Sequence, residues 1–177
     1  MMRRAVLASA VVMGLAASPV FAADEAWMMK VAKGGMAEVE LGKLASEKGT
    51  TDAVKNFGKR MVDDHSKANE ELKTLATSKK VTLPADLSPE DKALRDRLTK
   101  LSGTSFDQAY IKAMVADHVK DVNAFRTESK SGKDADVKAW AAKTLPTLED
   151  HLKMARDANG VVGTSGTKKS TEAKKKK

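Results

Sequence analysis

Three short stretches, MVDDHSKAN (61–69), MVADHVKDV (114–122) and TLEDHLKMA (147–155), hold every histidine of the chain: His65, His118 and His151. Each histidine directly follows an aspartate (Asp64, Asp117, Asp150), and each has a methionine about one helical turn away (Met61, Met114, Met154). Met61 and Met114 precede their histidines by four residues and Met154 follows by three, spacings that put thioether and imidazole on one helix face. Thioether with imidazole is the donor set of copper(I), while imidazole with carboxylate suits iron or zinc. An aspartate one position before a histidine points about 100° around the helix from it. Such an aspartate is better placed to accept from a ring on a neighbouring helix, fixing that ring's tautomer, than to share its own histidine's ligand.

The elements that must position these residues are helices, because strand-like alternation is missing and apolar residues recur at steps of three and four. A first helix is expected over about 24–48, with Trp27, Val31, Gly34, Glu38, Leu41 and Ala45 on one stripe. Gly49 is expected to close it in the left-handed conformation, with Thr50 or Thr51 capping a second helix over 51–78 that carries Val54, Phe57, Met61, His65, Ala68, Leu72 and Leu75. Ser88 caps a short polar helix whose first position is Pro89 and which ends near Leu101. Asp107, Ile111, Met114, His118, Val122 and Phe125 mark a helix over 105–130. Val137, Ala141, Thr144, Leu148, His151 and Ala155 mark the last, over 134–158, in which Pro146 predicts a kink.

Short turns after the first and third long helices make two antiparallel hairpins, and the long link between them carries its own helix. The fold class predicted is therefore all-α, a ferritin-like four-helix bundle with a long crossover that makes the two middle helices parallel.

His65, His118 and His151 fall on the apolar stripes of their helices, and Glu38 falls on that of the first. Each long helix thus aims one potential ligand inward, where a lone carboxylate would cost several kcal/mol in effective terms. A cation could satisfy all four, and so could pairing among themselves. Counted from the turns, Glu38 and His65 differ in height by about 7 Å at 1.5 Å per residue, as do His118 and His151, which leaves one shared atom, two smaller sites or none all open. The candidate metal ligands are Glu38, His65, His118, His151, Met61, Met114 and Met154, with copper or iron as the ion. Di-iron bundles repeat Glu-x-x-His, whereas Val62, Val115 and Leu148 stand three residues before these histidines, so a ferroxidase-type centre is disfavoured. The competing structural account makes the methionines core fillers and the histidines hydrogen-bonded packing groups. It also makes Trp27 and Trp140 core aromatics, Asp107 and Tyr110 a cap-and-core pair, and Gly34, Gly35 and Gly42 points of close helix approach.

The chain ends differ from this body. MMRR followed by AVLASAVVMGLAASPV and VFA has the charge, apolar core and small-residue exit of a secretory signal peptide, with cleavage expected after Ala22. No cysteine exists to anchor a lipid or form a disulfide, and no later run is long enough to span a bilayer. The expected compartment is periplasmic or secreted. Of the net charge of +8, Arg3 and Arg4 account for two, and residues 160–177, with six lysines and Glu172, for five. The body, 23–159, is left near +1, which argues against a specific nucleic-acid surface. Residues 160–177 are too polar to bury anything and are expected to be a disordered Lys-rich tail, a candidate tether to anionic envelope components. No nucleophile–base pair, phosphate loop or flavin motif is legible, so no catalytic residue is assigned.

GGMAEVELGKLA (34–45), VKNFGKRMVDDH (54–65), GTSFDQAYIKAMVADH (103–118) and AAKTLPTLEDHLKMA (141–155) together resemble the exported bacterial family called domain of unknown function 4142, over about residues 24–158. The resemblance implies a ferritin-like bundle in the periplasm or outer membrane and no established reaction. The Met/His pattern is also locally similar to a related exported family implicated in copper binding.

Overall fold

A computed structural model describes residues 19–175, with side chains described for 22–163. Residues 1–18, most of the segment expected to be a signal peptide, and the side chains beyond Gly163, most of the segment expected to be a Lys-rich tail, lie outside the described residues. Five helices follow one another: α1 (Pro19–Lys48), α2 (Asp52–Ser78), α3 (Pro89–Thr99), α4 (Gly103–Ser131) and α5 (Ala135–Lys175). None among the described residues is long and apolar enough to cross a membrane.

The termini of these helices are set by the residues the sequence offers. Thr51 caps α2, its hydroxyl accepting from the Val54 amide, and Ser88 caps α3, accepting from Asp91 with Pro89 in the first turn. Gly49 does not take the expected left-handed conformation; among the described residues those with positive φ are Gly103 and Lys80. Gly49 is required for space instead, since a Cβ there would lie 2.6 Å from the Ala45 carbonyl oxygen. α5 continues through Pro146 as one helix. It also passes the expected end at 158: Val162 is buried against Leu98 and Phe106, and its carbonyl accepts from the Gln108 side chain.

Three contacts fix the topology. Asp107, near the start of α4, accepts from the backbone amides of Thr50 and Thr51 and from the Thr50 hydroxyl, so α2 and α4 begin at the same end. Asp24, near the start of α1, accepts from the amides of Lys133 and Asp134 in the α4–α5 turn, at the opposite end. Lys79, just after α2, pairs with Asp134 and Asp136 at the start of α5. α2 and α4 are therefore parallel and the segment carrying α3 runs the length of the bundle, the one-crossover connectivity that ferritin-like folds also use. Asp107 does cap, as expected, but it caps the α1–α2 turn rather than its own helix.

Within the α1–α2 hairpin the backbones touch. A Cβ on Gly42 would sit 2.7 Å from the Gly58 carbonyl oxygen, and one on Gly58 equally close to that of Gly42. A Cβ on Gly35 would meet only the end of the Asn69 side chain, which can move aside, and one on Gly34 would meet nothing within 4 Å, so close backbone approach explains Gly42 alone of the three glycines singled out.

The core is in two apolar halves. One contains Leu41 and Ala45 of α1, Phe57 and Met61 of α2, Ile111 and Met114 of α4, and Ala155 of α5. The other contains Met28 and Ala32, Leu72 and Ala76, Val122 and Phe125, and Trp140 and Leu148 of the same four helices. Trp27, Phe125 and Trp140 form an aromatic trio there, ring centroids 4.9–5.9 Å apart, with Trp27 edge-on to the other two. Along α1, α2 and α4 the switch from one half to the other falls at Glu38, His65 and His118, and along α5 it falls within a turn of His151, just after Leu152.

Candidate metal centre

These four residues form a polar layer across a bundle that is apolar above and below. His118 and His151 are 0 % exposed, Glu38 1 % and His65 6 %. The imidazole centroids are 5.9 Å apart for His65–His118, 5.2 Å for His65–His151 and 5.4 Å for His118–His151. Glu38 reaches two of them, Oε2 lying 2.8 Å from His65 Nε2 and Oε1 3.3 Å from His118 Nδ1.

The height difference anticipated from the sequence is closed by side-chain direction. Glu38 lies 10 residues before Lys48 and His65 lies 13 after Asp52. Every Cα–Cβ bond leans toward its helix N-terminus, so Glu38 leans away from the shared turn and His65 leans toward it. The same opposed lean brings His118 of α4 and His151 of α5 together.

Hydrogen bonding sets which ring nitrogens face the layer. His118 Nδ1 lies 3.0 Å from the Met114 carbonyl oxygen, to which it donates, leaving Nε2 as the lone-pair nitrogen. His151 Nε2 lies 2.8 Å from Asp64 Oδ2 of α2 and donates there, leaving Nδ1. Asp64 is thus the cross-helix acceptor that the Asp–His dipeptides suggested, acting on a histidine from another helix. His118 Nε2, His151 Nδ1, His65 Nε2 and Glu38 Oε1 are all buried without a hydrogen-bond partner. The close His65–Glu38 approach is an ion-pair contact that is not aligned as a hydrogen bond.

Charge reinforces the arrangement. Burial would raise the Glu38 carboxyl, but the surrounding His65, His118 and His151 hold it down at about 2. Burial would lower His65, and Glu38 overrides it to push the ring above its ordinary value. His151 goes the other way: burial, helped by its two neighbouring imidazoles, takes it down to about 4 despite Asp64. At neutral pH the layer therefore holds an ionised glutamate and a neutral His151 whose lone pair is free.

Two sets of side chains are close enough to hold an ion. His65, His118 and His151 each offer an atom within 4.8 Å of the others, and Glu38, Asp117 and Asp121 do the same. The second set was only partly legible. Asp121 was missed, although its spacing of four from Asp117 puts both on one face of α4. Both carboxyls are raised, Asp117 by burial and Glu38, and Asp121 by burial, Glu38 and Asp117 to about 8. Met61 and Met114 are fully buried in the adjoining apolar half and Met154 packs against it. Asp150 is exposed.

In fold, the chain is similar to the crystal structure of a DUF305 fragment from Deinococcus radiodurans, with a TM-score of 0.68 at 13% identity over 83% of this chain and 97% of that one. A search of curated proteins finds no match. The model of the family described as domain of unknown function DUF4142 matches residues 11–158, the span that holds all four long helices up to the end of the polar layer and beyond. The chain belongs to that family.

Proposed function

We propose that the protein is a non-enzymatic binder of one transition-metal ion, copper or iron, held by His65, His118 and His151 with Glu38. The observation that carries this reading is the set of three buried imidazoles whose ligand-capable atoms lie within 4.8 Å of one another. Two of them have their tautomers fixed by outer hydrogen bonds, the arrangement that metal-ligating histidines ordinarily have. Three imidazoles and a carboxylate form a borderline donor set that takes Fe(II), Cu(II) or Zn(II), and a thioether from Met61, Met114 or Met154 would tilt it toward Cu(I). With a leader cleaved after Ala22, the setting is the periplasm or cell exterior and the role metal or oxidative-stress handling there.

The test is calorimetric titration of the metal-free protein with Cu(I), Cu(II), Fe(II) and Zn(II). Saturable binding of one equivalent of copper or iron, lost in the His65→Ala, His118→Ala double variant, is the expected result. Absence of saturable binding by any of the four ions ends the reading.

A second reading is favoured by the ion pairs themselves. Glu38 with His65 and His118, and Asp64 with His151, compensate one another's burial without an ion. On that account the chain is a structural or interaction module whose Lys-rich tail docks on anionic envelope material. It predicts salt-sensitive association with anionic vesicles that vanishes when residues 160–177 are removed.

A further inference from the structure

The polar layer has a second face. Glu38, His65, Asp117 and Asp121 line a cavity of about 360 Å³ to which all four long helices contribute. Glu38 belongs to the carboxylate set, with Asp117 and Asp121 gathered to within 4.8 Å of it, and touches the histidine set through Oε2, 2.8 Å from His65 Nε2. Three carboxylates in one place repel unless protons or a cation neutralise them. Lys30 and Lys33 of α1 and Lys120 of α4 also line the cavity, Lys33 half-buried and the other two exposed, and none of them forms an ion pair with the three carboxylates among the described residues. An acidic cluster alone would say little. Here it is joined by a side chain from a third helix, His65, which is 6 % exposed, lines the same cavity and has Nε2 buried without a hydrogen-bond partner. Glu38 Oε1 is likewise buried without a hydrogen-bond partner, its nearest charged neighbour being His118 Nδ1 at 3.3 Å.

The geometry points to a second cation site, formed by Glu38, Asp117 and Asp121 and reached through this cavity, that takes a hard divalent cation of the Mn²⁺ or Mg²⁺ class. Oxygen donors from carboxylates, with room for several waters, are what such ions require, since they keep part of their hydration shell. The cavity volume is about twelve times the roughly 30 Å³ that a water occupies in the liquid, so a partly hydrated ion fits. Glu38 then bridges a nitrogen-rich inner site and an oxygen-rich outer one. The inference rests on the preceding reading only for that bridge; the outer site can exist without the inner one.

Mn²⁺ is the probe, because its free ion is counted by electron paramagnetic resonance. The full chain is titrated with Mn²⁺ after saturation with Zn²⁺, and compared with Asp117→Asn, Asp121→Asn and with His118→Ala, His151→Ala. One bound Mn²⁺ in the zinc-loaded chain is expected, with affinity falling by more than about tenfold in the aspartate variant through the loss of hard oxygen ligands. That variant should still bind zinc, which also reports that it has folded. The histidine variant should lose zinc and keep Mn²⁺. If no zinc binds the intact chain but Mn²⁺ does, and the aspartate variant loses it, the outer site stands and the preceding reading falls. No bound Mn²⁺ in the intact chain, equal Mn²⁺ affinity in the aspartate variant, or loss of both ions in the histidine variant overturns the second site.

Discussion

Glu38 Oε2 lies 2.8 Å from His65 Nε2 in the middle of the bundle, on two helices whose only covalent link is a turn ten residues away along α1. The pair joins the two apolar halves of the core, and its charges depend on each other. Burial alone would disfavour the charge on both groups; each favours the charged form of the other, holding the Glu38 carboxyl down and pushing the His65 ring up.

Imidazole nuclear magnetic resonance of the metal-free protein should display that dependence. His65 is expected to titrate above the ordinary histidine value of 6.5 and His151 near about 4. In Glu38→Gln the His65 midpoint should fall, because the carboxylate that raises it is gone. An unchanged midpoint would mean that Glu38 does not govern the ring.

The same carboxyl sets an acid limb of stability. A group whose folded pKa is depressed stabilises the fold above its unfolded value and loses that contribution as pH falls through the folded one. For Glu38 the window runs from 4.5 down to about 2. Thermal melts of the metal-free chain should lose stability across that window, and the difference between wild type and Glu38→Gln should shrink as pH drops through it.

How much of this was legible in the sequence follows from what each signal measures. The helices were legible because Ser88–Pro89, Thr51 and the apolar stripes act locally. The inward aim of Glu38, His65, His118 and His151 was legible for the same reason, since a stripe position is a burial position. Their convergence was not, because counting residues from a turn ignores the lean of each side chain toward its helix N-terminus. Asp121 was missed because an aspartate beside Lys120 on α4 reads as solvent-facing until α1 is packed against it. Val162 was missed because it lies between Gly160 and Gly163 ahead of a lysine-rich stretch, and only Leu98 and Phe106, brought across by the crossover, give it a place to pack.

Asp107 ties the crossover end of the bundle together. It is 0 % exposed and is the acceptor for the Thr50 and Thr51 amides and the Thr50 hydroxyl. Asp107→Ala strands these donors and should cost about 3 kcal/mol. For a domain of this size that lowers Tm by roughly 6–12 °C. A loss below about 1 kcal/mol would assign the turn's stability elsewhere.

Glu128 tests the opposite sign. It is buried at the far end of the bundle beside Asp24, and burial followed by that neighbouring carboxylate raises its pKa above 4.5. An acid raised in the folded state costs nothing below its unfolded value and destabilises increasingly as pH rises through the folded one. Glu128→Gln should therefore raise Tm at pH 7 and leave it unchanged at pH 4. A variant less stable than wild type at pH 7 would contradict that sign.

The most direct test of the central claim is anomalous diffraction from crystals of the full chain soaked with copper(II) or iron(II), recorded on both sides of the metal's absorption edge. The account predicts a peak inside the bundle within about 2.0–2.2 Å of the nitrogens of His65, His118 and His151, the bond length of imidazole to a divalent first-row ion. Peaks confined to the surface, or an interior without one while His65 and Glu38 keep their 2.8 Å contact, would contradict it.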